Sequence, residues 1–228
     1  MLKWLDRLTG RGPAAGGSSL AALGDYPPYH APHIGPPTSW SLDQAQENLA
    51  HLVANRASRL VILGDWLRRH AGIDAGPALA GGDPRPLLDA LHRWSNACWP
   101  AWHQPAIASE AIWLRSSRDG DERVYSLLLD VALLLGELVL QRNAKYQWAL
   151  DLDPINERDG MASWRRAVLL LPAYGDMPGP IDLDLEHQVV GRYLRPDHVM
   201  NQIHNGWAET VMDAIEGRQE AAWVRPTA

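Results

Sequence analysis

In the stretch "GPIDLDLEHQ", carboxylates stand at every second position: Asp182, Asp184 and Glu186, with His187 next. On extended chain alternate residues project to one side, so the three would form one acidic row. Such a row offers oxygen ligands to a divalent cation or a docking patch to a basic protein. A calcium-binding loop needs a glycine and a terminal glutamate at fixed offsets that are missing here. A solvated acidic loop capping the next helix, or a patch for a protein partner, is left. If the chain binds a partner, Asp182, Asp184 and Glu186 are the residues expected to meet it.

A second set of charges lies in "RVYSLLLDVALLLGELVL". Arg123, Asp130 and Glu137 are spaced by sevens, nearly two helical turns, and so line one stripe of a helix. The remainder of the segment is apolar. It falls short of the roughly twenty apolar residues that a membrane span needs, and it carries charges. A core helix with one wet or ion-paired edge is expected, and no membrane insertion. Glu137 could instead serve as a catalytic acid, but it would need a second carboxylate or an imidazole beside it.

Other chemistry finds little support. His198 and His204 are six apart, and His30 and His33 three apart; neither pair makes a zinc signature. No nucleophile elbow, phosphate loop or dinucleotide fingerprint occurs, so no cofactor, no metal and no catalytic residue is expected. The single cysteine, Cys98, sits among tryptophans in "NACWPAW" and reads as a small buried hydrophobe. It excludes an internal disulfide framework, and with no signal-peptide pattern in "MLKWLDRLTGRGP" a cytoplasmic setting follows as the expectation. A net charge of −6 without a basic run argues against nucleic acid as partner. Eleven tryptophans and no phenylalanine leave bulky packing to Trp, with one or two rings free for binding.

The elements that must position these groups can be read from periodicity. Residues 1–40 form an N-terminal appendage: a short helix over 1–9, a glycine-rich joint, and the proline-stiffened arm "DYPPYHAPHIGPPTSW", read as a strap over the domain. A single globular domain spans 41–228. Ser41 and Gln44 make a capping box, and leucines from Leu42 to Leu67 recur at helical spacing, as one long helix or two joined near "NRAS". Asp83 caps a helix with Pro84 at its first position, and "PAWHQPAIAS" reads as loop. "SEAIWLRSS" is a short helix or strand. "YQWALDL" and "RRAVLLLP" read as strands, the second apolar enough to be central; "AYGDMPGPIDLD" reads as loop. "LEHQVVGRYL" and "HNGWAETVMDAIEG" close the chain as helices, the last capped by Asn205. The fold class is α+β, predominantly helical in the first half with a small β-sheet in the second.

Asp130, five residues, Gly136-Glu137, a short turn and then Trp148 on a strand together resemble an element of small bacterial α+β domains associated with toxin-immunity loci. The resemblance continues through "WRRAVLLLP" and "DLEHQVVGRYL" and covers residues 122–195. It implies an immunity protein that occludes a toxin or secreted effector. The alternatives are a hydrolase-type enzyme using Glu137, or an adaptor of a secretion system docking through its arm.

Overall fold

A computed structural model describes residues 23–175, 177 and 179–221; the expected helix over 1–9 and most of the joint lie outside them. The fold is α+β. Ser41 opens α1 (Leu42–His70) with a complete capping box, its hydroxyl accepting from the Gln44 N–H. The helix runs unbroken through "NRAS". A single turn, α2 (Gly76–Leu79), and then a long helix, α3 (Arg85–Trp102), follow. Asp83 accepts from the Arg85 N–H at 3.1 Å, but Pro84 itself takes the N-cap position.

Helix α3 continues through Pro100 into the stretch read as loop. A proline inside a helix forfeits one backbone bond. Here Trp94, Trp99 and Trp102 enter the core from that helix, the last two fully buried. Trp94 meets Trp99, Trp102 and Trp66 of α1 edge-on, and Trp102 also meets Trp66, at 5.5–5.9 Å between centroids. Burial of several indoles outweighs one lost hydrogen bond. Ser109 then caps α4 (Glu110–Trp113).

The apolar segment is α5 (Val124–Leu140), and all of it except Glu137 and Leu140 is buried. The later elements assemble around it. Antiparallel strands β1 (Gln147–Leu150), β2 (Ala167–Leu171) and β3 (Ile181–Leu183) form a sheet with β2 central. Between the first two strands lies the turn-like helix α6 (Pro154–Arg158). Helices α7 (Leu185–Leu194), α8 (Val199–Ile203), α9 (Gly206–Ile215) and α10 (Arg218–Ala221) follow. Asn205 caps α9 through the Ala208 N–H. Helix α5 packs against α1, α7 and α9. Gly136 is where the sheet comes closest: a Cβ there would lie 2.4 Å from the Trp148 ring. Only glycine leaves room for that ring.

β3 lies within "AYGDMPGPIDLD", read as loop. Three residues are too few for a period to register; the strand exists because β2 supplies its partner, with Leu170 opposite Asp182. The arm is a strap from Leu23 onward. Tyr26 is fully buried, Tyr29 nearly so, and His33 and Asn48 exchange two hydrogen bonds.

Candidate functional site

Two buried ion networks and one open groove account for the charges singled out above. Asp130 is fully buried on α5. Arg59, from the middle of α1, donates to its carboxylate through Nε at 2.9 Å and Nη2 at 2.7 Å, and the Tyr26 hydroxyl donates to the same oxygen pair. Arg59 also reaches the Pro27 carbonyl at 2.9 Å. The strap, α1 and α5 are thereby tied at one point. Burial pushes the Asp130 carboxyl up to about 6, with Arg59 opposing it; the Tyr26 hydroxyl is raised by the same burial and by Asp130.

Glu137 also faces α1, where Arg56 approaches it at 3.2 Å. The depression beside it is lined by Val53, Arg56, Leu140, Tyr146 and Trp148 among others, and neither an imidazole nor a second acid lines it. Arg123 donates to the Gly24 carbonyl of the strap. The three residues of the stripe therefore bind α1 and the strap. Their partners Arg56, Arg59 and Tyr26 carried no mark in the sequence, being remote in chain order.

The second network takes two of the three acids from the expected docking row. Glu186 receives Arg118 at 2.7 Å on one oxygen and Arg166 at 2.7 Å on the other. The Trp113 indole N–H adds a third donor at 3.1 Å. Asp184 caps α7 through the His187 N–H and pairs with Arg166 at 2.8 Å. Burial alone would raise the Glu186 carboxyl, but the two guanidinium charges and the Trp113 hydrogen bond outweigh it and hold it at about 2. Arg118 adopts a left-handed backbone, φ 64°, held by its bonds to Glu186 and the Tyr125 carbonyl. Arg166, which pairs with both Asp184 and Glu186, is the centre of this network.

Asp182, Asp184 and Glu186 therefore share no exposed face. The alternation holds only while the chain is a strand; at Asp184 it turns into α7, and the helical twist carries Glu186 inward. Asp184 and Glu186 spend their charge inside the fold, and the patch assigned to all three is corrected to Asp182 alone.

Asp182 remains outward in different company. With Asp151, Asp153, Leu152, Ile155 and Leu170 it lines a groove of about 680 Å³ over the sheet and α6. Leu152 and Ile155 are half exposed. Asp151 accepts from Asn156 and from the Asp153 N–H, and Asp153 caps α6; among the described residues none of the three acids has a cationic partner. Burial and then the Asp151 charge push the Asp182 carboxyl up. Asp151 is itself buried, so the acidic edge open to a partner is Asp153 and Asp182; with the exposed Leu152 and Ile155 it suits a basic, partly apolar segment of another protein.

Among the described residues no group of three His, Cys, Asp or Glu side chains is placed to hold a metal ion, and no helix is long and apolar enough to cross a membrane. No protein-family model, curated protein or solved structure matches the chain.

Proposed function

We propose that this protein acts by binding another protein, as an immunity protein that occludes a bacterial toxin or secreted effector. The observation that carries the reading is the groove over the sheet. It exposes Leu152 and Ile155 beside two half-buried carboxylates, Asp153 and Asp182, that have no cationic partner among the described residues. Exposed apolar groups in such a frame cost solvation unless something covers them. The resemblance over residues 122–195 supplies the class of partner, and the acidic rim supplies its chemistry: a basic surface such as a nuclease or other cationic toxin presents.

The hydrolase alternative would rest on Glu137, whose neighbour is a guanidinium rather than an imidazole or acid. The adaptor alternative would use the arm, of which Tyr26 and Tyr29 are already engaged by their own domain. Co-expression with the product of the adjacent reading frame tests the leading reading. A stable complex, rescue of growth, and loss of both in Ile155→Arg and Asp182→Lys are expected. Neither complex nor rescue, or full rescue by both variants, would overturn it.

A further inference from the structure

A second cleft, of about 360 Å³, opens between α7 and the α8–α9 turn, away from the groove. Its floor holds Arg192, one of three arginines buried among the described residues with Arg59 and Arg166. The other two have carboxylate partners. Arg192 has none there: its Nη2 is held by His92 Nδ1 at 3.0 Å, Asn96 Oδ1 at 2.5 Å and the Asn201 carbonyl at 2.8 Å. All three acceptors are neutral, because the His92 imidazole is kept uncharged by burial and by Arg192 itself. The Trp207 ring lies 4.6 Å from the guanidinium carbon. A buried cation without a counter-ion is costly, and burial pulls even this guanidinium down to about 10. Neither Nε nor Nη1 donates to any described residue, so two sides of the fork remain for something else.

The walls are of one sign. Arg195, His198 and His204 line the cleft, and no carboxylate does. Asp197, next to His198 in sequence, is outside the lining, and at the margin Glu209 is paired with His204 and Glu110 with His187. His198 accepts the Met200 N–H on Nδ1, which leaves its Nε2 as the protonated nitrogen when the ring is neutral. On a chain of net charge −6 this concentration of donors is a local reversal of field.

We propose that the cleft is a binding site for a small oxyanion, a phosphate or carboxylate group, which Arg192 receives on its free donors while Arg195 and His198 close over it. A guanidinium fixed from behind by neutral acceptors on Nη2 keeps Nη1 and Nε, on its two other sides, preorganised to donate a charge-assisted hydrogen bond to such a group. The site is independent of the protein-binding groove.

The test is calorimetric titration of the full chain with inorganic phosphate and, separately, with acetate, beside thermal unfolding at rising ligand concentration. Saturable binding of either anion with a rise in Tm is expected, and the anion bound names the source, phosphate ester or carboxylate. Arg195→Gln is a surface change, and His198→Gln keeps a side-chain acceptor for the Met200 N–H, so both retain the fold; each should weaken binding at least fivefold, and Arg192→Met should abolish it. Arg85→Gln, at a remote exposed arginine, should leave affinity unchanged. No saturation with either anion, unchanged affinity in the Arg195→Gln, His198→Gln double variant, or equal weakening by Arg85→Gln would overturn the assignment.

Discussion

Glu186→Gln is the sharpest probe of the charge network that anchors α7 to the sheet. The substitution keeps shape but removes the charge facing Arg118 and Arg166, side chains about 15% and 7% exposed. Arg166 would retain Asp184; Arg118, which still donates to the Tyr125 carbonyl, would have no carboxylate partner. The size of the loss follows from linkage. The Glu186 carboxyl moves from 4.5 to about 2 on folding, and each unit corresponds to about 1.4 kcal/mol, giving about 3 kcal/mol at neutral pH. Because the folded-state value lies below the unfolded one, this contribution is full above about pH 4.5 and is lost as pH falls through about 2. Wild type and variant should therefore differ by about 3 kcal/mol at pH 7 and by only about 1 kcal/mol at pH 3. Urea unfolding followed by tryptophan fluorescence at the two pH values measures both differences. A difference below about 1 kcal/mol at pH 7, or one that does not shrink on acidification, would show that the paired guanidiniums do not stabilise this carboxylate.

Three further outcomes follow from the same geometry. Arg59→Met leaves Asp130 buried without its cation and should cost about 3–5 kcal/mol at pH 8. The Asp130 carboxyl is at about 6 with Arg59 opposing burial, so removing Arg59 raises it further and the variant takes up the proton first; the cost should shrink as pH falls from 8 toward 6, and an equal or larger cost at pH 5 in denaturant unfolding would refute this. Gly136→Ala drives a methyl into the Trp148 ring and should destabilise by about 1–3 kcal/mol, read as a lower Tm with altered Trp emission; an unchanged Tm would mean the sheet shifts freely. Ile155→Arg and Asp182→Lys should lower affinity for a basic protein partner more than tenfold while the Tm stays within a few degrees of wild type, as surface changes do; binding as tight as wild type in surface plasmon resonance would remove the groove from the interface.

What the sequence determined by itself is whatever neighbouring residues decide among themselves. The Ser41–Gln44 box started α1, the leucine spacing carried it, and Asn205 capped α9, because these contacts lie within one turn of chain. The apolar run of α5 declared its burial, and its sevenfold charge spacing declared that Arg123, Asp130 and Glu137 share an edge. Tertiary structure decided which charges find each other. Arg59 meets Asp130 across 71 positions and Arg118 meets Glu186 across 68, distances at which no local pattern records a pairing. It also decided the acidic row: one turn of backbone at Asp184 separated Asp182, left facing outward, from Glu186, drawn into the core. A carboxylate's role depends on whether a cation lies within a few ångströms in a poorly solvated place, and only the folded chain brings that cation there.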